Sequence, residues 1–315
     1  MIGPRIAVLV PCRNEAVTVS HVVEGFRTSL PVCTVYVYDN GSTDATSAVA
    51  AAAGAIVRRE PRPGKGGLVR RMFAEIDADI YLLVDGDDTY DASRSPELVA
   101  ALLADDLDMV TAVRNVDGEI GAYRRGHKFG NAIFNWLLGV IFGQRPSDAF
   151  SGYRALSRRF VKSFPLAAQG FELETELTVH ALELRVPAAE IAMRYRPRRE
   201  GSASKLNKWR DGLRILGTVV TLFRDVRPLP FFGLLAAFLA IVGLVLGIGV
   251  VIEYMHTGLV PRFPTAILAT GLMVLASLSL ASGIILDSVA RGRREAKRLA
   301  YLAVGALSPS RREPS

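Results

Sequence analysis

The stretch Ile80-Tyr81-Leu82-Leu83-Val84-Asp85-Gly86-Asp87-Asp88-Thr89-Tyr90-Asp91 passes from five apolar residues to four carboxylates within seven positions. A short apolar run ending in a polar turn marks a strand buried on both faces. Side-chain alternation lets Asp85 and Asp87 point the same way. Carboxylates this close repel one another, which raises their pKa values unless a cation neutralises them. Oxygen-only ligands suit Mg2+ or Mn2+, and Mg2+ is commonly held by one or two carboxylates together with substrate phosphates. A solvated acidic turn would have the same composition; its place at a strand's carboxyl end favours a metal–diphosphate site.

Outward from this strand the same alternation repeats. Ile6–Val10, Thr34–Tyr38, Ala55–Arg58 and Met109–Val113 read as further strands, with helices over Val17–Ser29, Thr43–Ala53, Leu68–Ile76 and Pro96–Ala104. That order predicts an α/β domain with a mostly parallel, Rossmann-like sheet. Asp44 lies near a helix start and Gly54 just past its end. Ligands of such sheets bind beyond the carboxyl ends of the strands. There the chain carries Pro11-Cys12-Arg13-Asn14-Glu15 and Asp39-Asn40-Gly41-Ser42-Thr43-Asp44. No GxGxxG follows the first strand, which argues against a dinucleotide-dependent oxidoreductase, and Gly64-Lys65-Gly66-Gly67 lacks P-loop spacing. Cys12 and Cys33, without a CxxC or a histidine pairing, read as two buried reduced thiols.

The ordered set Pro11…Asn14-Glu15, Asp39-Asn40, Gly64-Lys65-Gly66, Asp85-Gly86-Asp87 and Asp148…Ser151-Gly152-Tyr153-Arg154 resembles family-two glycosyltransferases of the GT-A fold. More narrowly, it is similar to the polyprenyl-phosphate glycosyltransferases related to dolichol-phosphate mannose synthase, including bacterial members with a C-terminal transmembrane hairpin. The resemblance covers roughly residues 5–205. It implies that Pro11, Glu15, Asp39 and Asn40 line a nucleoside pocket with Lys65 near the nucleotide, and that Asp85 and Asp87 hold Mg2+ or Mn2+ on the donor diphosphate. Many relatives have a second Asp where Asn40 stands; an amide both donates and accepts, so the base contact is expected to be remodelled. Thr89 stands where mannose synthases often place a Gln, which turns the reading from GDP-mannose toward a UDP-sugar.

On the acceptor side the resemblance places Asp148 near the reacting centre, as a catalytic group beside Asp87 and Glu174. By residue type alone, Asp148 also reads as a turn residue, and Glu172 and Glu174 as acids favoured at a helix's positive end. Arg154, Arg199, Ser204 and Lys205 are expected to bind acceptor or diphosphate oxygens through charge-assisted bonds. The basic loop of Arg196, Arg198, Arg199, Ser202, Ser204 and Lys205 would equally be drawn to lipid headgroups.

Phe231–Ile252 and Pro264–Leu286 are uncharged runs of 22 and 23 residues, each long enough for a hydrocarbon core that takes about 20 residues. Charge follows this division: residues 1–193 hold 20 Lys/Arg against 24 Asp/Glu, residues 194–227 hold 10 against 3, and residues 288–315 hold 7 against 2. Positive charge flanking apolar spans, beside an acidic main domain, points to a membrane surface and away from nucleic acid. Trp209, Leu213, Leu216, Val220 and Phe223 recur at helical spacing, predicting an amphipathic helix at an interface or packed on the soluble domain. The expected organisation is a catalytic domain over 1–204, an amphipathic helix over 205–230, a hairpin over 231–287 and a basic tail over 288–315.

The start of the chain lacks a basic, then apolar, then small-residue pattern, so the first domain is expected not to be exported. Arg224 and Arg227 precede the first span, while Arg291, Arg293, Arg294, Lys297 and Arg298 follow the second. The positive-inside rule then predicts a multi-pass protein of the inner, cytoplasmic membrane with its catalytic domain and both termini cytoplasmic. The expected function is inverting, metal-dependent transfer of a sugar from a nucleotide-sugar donor to polyprenyl phosphate, with self-association into a homo-oligomer left open. The rivals are a family-two transferase for a saccharide or protein hydroxyl and a membrane-tethered nucleotide-sugar binder without turnover.

Overall fold

A computed structural model describes residues 3–115, 125–165, 173–196, 217 and 220–306. Its seven strands are β1 (Ile6–Cys12), β2 (Cys33–Asp39), β3 (Ile56–Arg59), β4 (Ile80–Leu83), β5 (Met109–Asn115), β6 (Arg154–Ser157) and β7 (Ala188–Arg194), in the order β3-β2-β1-β4-β6-β5-β7. All neighbours run parallel except β6, which is antiparallel to β4 and β5. The sheet is therefore mixed and mostly parallel. Helices α1 (Val19–Ser29), α2 (Thr46–Ala52), α3 (Lys65–Glu75) and α4 (Ser95–Ala104) connect the early strands. They are followed by α5 (Arg125–Phe142), α6 (Arg158–Ser163) and α7 (Leu173–Leu184).

Two apolar cores cover the faces of the sheet, and β1 shows how one strand feeds both. Val8, Val10 and Cys12 pack with Phe26, Val37, Leu82 and Leu98. Ala7 and Leu9 join Tyr38, Leu68, Phe73, Tyr81, Phe160 and Leu177. Because every residue of β1 is buried, its run has no polar face and reads as continuous apolar sequence. The chain reverses strand order on the two sides of β1, with β2 and β3 to one side and β4 to the other. Such a switch point opens a crevice at the strands' carboxyl ends.

The chain divides into two compact units, residues 1–215 with 297–315, and residues 216–296. This differs from the expected domain limits, because the C-terminal segment belongs with the catalytic unit. Tyr301 Oη donates to the buried Asp108 Oδ2 (2.5 Å), Lys297 Nζ contacts Glu183 Oε2 (2.5 Å), and Arg159 lies over the Tyr301 ring. Residues 288–303 of the expected basic tail are helical, in keeping with Arg, Lys, Ala and Leu as good helix formers.

In the second unit α8 (Pro228–Thr257) and α9 (Phe263–Ala303) are both long and apolar enough to cross a membrane by length and composition. Five residues join the two helices, which both extend past the uncharged runs. Glu253–Thr257 extend the first helix until Gly258, at φ 68°, closes it in the left-handed conformation. The buried positions recur every seven residues and are small but for Val250: Ala236, Gly243 and Val250 on α8, and Ala269, Ala276, Gly283 and Ala290 on α9. A Cβ on Gly243 would lie 3.3 Å from the carbonyl oxygen of Ala269. Small side chains therefore permit close backbone approach while the large apolar ones point outward. Most of the expected amphipathic helix over 205–224 lies outside the described residues. Within its end, Leu222 and Val226 are buried, Phe223 is half-buried and Val220 is exposed.

Candidate active site

The turns after β1 and β4 meet at the crevice. Thr18 Oγ1 donates to the Gly86 carbonyl (2.7 Å), and a Cβ on Gly86 would fall 2.6 Å from Cys12 Sγ. Burial pushes the Cys12 thiol pKa up, and Glu15, Asp39, Asp85 and Asp87 push it further. Four of the expected carboxylates thus act on one buried thiol. Pro11 is buried in β1 opposite Tyr38 of β2. Asn14 adopts φ 56°, a conformation Asn tolerates better than most residues. From there its backbone N–H reaches Ser42 Oγ (2.9 Å), its Oδ1 accepts from Thr43 N (2.8 Å), and Glu15 N donates to Thr46 Oγ1 (2.9 Å).

At the end of β2, Asp39 is fully buried. Burial alone would raise its pKa, but donors from Ser42 and Ser47, with Arg59 beyond them, hold it below the usual carboxylate range. Asn40 is committed elsewhere. Its Nδ2 donates to the carbonyls of Arg62 (2.6 Å) and Glu60 (3.3 Å), and its Oδ1 accepts from Gly64 N (2.8 Å). An aspartate could make only the last of these bonds. The departure at position 40 therefore belongs to the 60–64 turn that presents Lys65; the side chain is a brace for that turn.

Lys65 Nζ lies 2.5 Å from both Asp85 Oδ1 and Glu174 Oε1. Burial opposes the ammonium, yet the two carboxylates outweigh it and raise its pKa. Burial raises the Asp85 pKa, Lys65 opposes that rise, and Glu174 and Asp87 add to it. Burial would raise Glu174 as well, but Lys65 draws it below its ordinary value. Asp87 is buried, with Oδ1 accepting from Thr89 Oγ1 (2.6 Å). Asp85 and Asp87 thus offer the oxygen donors a hard divalent cation requires. Among the described residues no three His, Cys, Asp or Glu side chains converge to hold a metal alone. Two carboxylates with the balance of ligands from a diphosphate fit that pattern.

Asp148 is buried and gripped by a residue the sequence reading did not weigh. Arg114, at the end of β5, donates from Nε to Asp148 Oδ2 (2.6 Å) and from Nη2 to Oδ1 (2.7 Å), and Asn131 Nδ2 adds a bond to Oδ1 (3.2 Å). The signal was present, since Arg114 occupies a strand's carboxyl end like the residues that were chosen. Gly152, in the same loop, approaches Asp85 so closely that a Cβ would sit 2.2 Å from Oδ2, while its N–H donates to Tyr90 Oη (2.8 Å). Arg154 does not face the site. It is 1% exposed and donates to the carbonyls of Ala149 (2.8 Å) and Ser151 (3.1 Å) and to Thr178 Oγ1 (2.8 Å). Burial pulls its pKa down to about 10. The expected phosphate ligand is a support beneath the 148–152 loop, because β6 is an inner strand and its side chains point into the core. Arg199, Ser204 and Lys205 lie outside the described residues, as does Glu172.

Comparison with known proteins decides the family. The model described as "Glycosyl transferase family 2" matches residues 7–164. The chain belongs to this family. The glycosyltransferase AglJ of Haloferax volcanii is 31% identical over 291 residues, covering 92% of this chain and 95% of its own. Protein RfbJ of Shigella flexneri is 51% identical over 123 residues, 39% of this chain and 95% of its own length. Among solved structures, glucosyl-3-phosphoglycerate synthase of Mycobacterium tuberculosis in complex with Mn2+, UDP-glucose and phosphoglyceric acid is 25% identical, with a TM-score of 0.56 over 70% of this chain and 79% of that one. The same enzyme with phosphoglyceric acid gives 26% and 0.55 over the same shares. The fold is accordingly GT-A, and Asp39, Lys65, Asp85 and Asp148 all fall within the matched family-two segment, while Glu174 lies beyond it.

Proposed function

We propose that the protein is an inverting glycosyltransferase that moves a sugar from a nucleotide sugar, a UDP-sugar by preference, to polyprenyl phosphate at the cytoplasmic face of a membrane. Glu15 and Asp39 border the nucleoside, Lys65 serves the diphosphate, and Asp85 with Asp87 holds a divalent cation. The UDP and Mn2+ complexes of the mycobacterial synthase support that donor side. A cation bound there supplies charge neutralisation for the departing nucleoside diphosphate. The chain's own groups orient the donor and enclose the reacting centre.

The observation that carries the acceptor reading is the bidentate Arg114–Asp148 pair, considered with the two long apolar helices. A hydroxyl acceptor needs a base to take its proton, and both oxygens of Asp148 are already accepting from Arg114. A phosphate monoester, with a second pKa near ~6, is mostly ionised at neutral pH and needs no base. Asp148 then positions groups through Arg114, with Arg199, Ser204 and Lys205 as phosphate-binding residues. The test is a panel of nucleotide sugars incubated with polyprenyl phosphate and Mn2+, followed by mass analysis of the lipid. Glycosylated polyprenyl phosphate is the expected product. Efficient glycosylation of a saccharide hydroxyl with the lipid untouched would replace this reading.

A further inference from the structure

Lys65 touches Asp85 at one of the oxygens that a divalent cation would use. Two cations therefore compete for one carboxylate. The ammonium has a second partner in Glu174, carried by the first turn of α7, at the same 2.5 Å. Among the described residues no three His, Cys, Asp or Glu side chains form a metal-holding group, and the Glu174 carboxylate meets the ammonium directly. Lys65 itself opens α3 directly after the turn braced by Asn40, which leaves its long side chain as the adjustable part.

We propose that Lys65 is an internal counter-cation that blocks Asp85 against metal alone and yields it when the metal arrives together with the donor diphosphate. The reason is charge. A bare divalent ion at Asp85 must displace or crowd the ammonium, and like charges a few ångströms apart repel even in this partly exposed crevice. A diphosphate brings negative charge that gives Lys65 a new partner, while Glu174 keeps a hold on it. Metal and nucleotide then bind synergistically, each tightening the other by the same factor. The inference rests on the assignment of Asp85 and Asp87 to a cation.

The test measures Mn2+ binding to the full-length protein in detergent by electron paramagnetic resonance, with and without UDP. Wild type should bind Mn2+ weakly alone and at least tenfold more tightly with UDP, a gain of about 1.4 kcal/mol. Lys65→Met should bind Mn2+ alone about tenfold more tightly than wild type and lose most of the UDP effect. Lys65→Arg, which keeps the charge, should retain weak binding, and thermal unfolding of both variants checks that they fold. Unchanged or weaker Mn2+ binding in Lys65→Met overturns the counter-cation. Asp85→Asn separates the two readings: if it abolishes Mn2+ binding while Lys65→Met does nothing, the counter-cation alone is wrong. If Asp85→Asn leaves Mn2+ binding intact, the metal assignment itself falls.

Discussion

Asn40 illustrates how one atom decides a site. Its amide nitrogen bonds two carbonyls and its oxygen one N–H across the 60–64 turn, and Lys65 starts the next helix. Asn40→Asp would turn a carboxylate toward the Glu60 and Arg62 carbonyls, losing two bonds and adding repulsion, at about 1–3 kcal/mol for the unsatisfied groups. Thermal unfolding should fall by several degrees and the KM for nucleotide sugar should rise, whereas a base-contact role would raise KM with no loss of stability. Arg154 makes the complementary point. An arginine in a polar motif reads as a ligand for an anion, yet this one is among the largest fully buried side chains and ties three acceptors under the loop. Residue type alone does not distinguish an arginine aimed at substrate from one aimed at a carbonyl.

Elements bounded by their own local chemistry were legible in advance; those that depend on distant partners were not. The first five strands emerge within two residues of their expected limits because β-branched and aromatic runs stop at polar turns. β6 escaped notice because Arg154-Ala155-Leu156-Ser157 shows neither a continuous apolar run nor a repeat, its burial being set by β4 and β5 on either side. Asp85 and Asp87 are legible from crowding, while the grip of Arg114 on Asp148 spans 34 residues and its only local trace is the place of Arg114 at the carboxyl end of β5. The loop between α5 and β6 yields a sharp test. Gly152→Ala puts a Cβ against Asp85 Oδ2, so the carboxylate must turn away, and turnover should drop roughly a hundredfold, as for misplacement of about 1 Å, in a protein that unfolds within a few degrees of wild type. Helix α7 carries a second. His180 is buried against Phe160, Phe164 and Ser163, and burial, with a smaller push from Lys297, lowers its pKa to about 3. The unfolded chain binds its proton near 6.5, so folding loses about 1.4 kcal/mol per pH unit below that value. The melting temperature of wild type should therefore fall more steeply between pH 7.5 and 5.5 than that of His180→Asn.

Across the whole molecule, the arrangement of charge and apolar length makes one prediction that the chain's own thiols render unusually clean. With Arg224 and Arg227 before α8, and Arg291, Arg293, Arg294, Lys297 and Arg298 late in α9, the positive-inside rule predicts both flanks on the cytoplasmic side and the short turn at Gly258–Arg262 outside. Thr257 closes α8 at this turn and is exposed. Thr257→Cys should react with an impermeant maleimide in intact cells. Background is held down by chemistry as well as by location: burial raises the Cys12 thiol well above its usual pKa and lifts Cys33 to about 11. Thiolate is the reactive form, so both native cysteines should label slowly near neutral pH, and the parent protein without Thr257→Cys measures that background. The paired site is Gly305→Cys, just past the end of α9, which should label only after permeabilisation. The reverse pattern, with Thr257→Cys protected and Gly305→Cys labelled in intact cells, would put the catalytic unit outside. It would also deny that unit the cytoplasmic pool from which a nucleotide sugar has to come, so the same experiment constrains the donor as firmly as it constrains the topology.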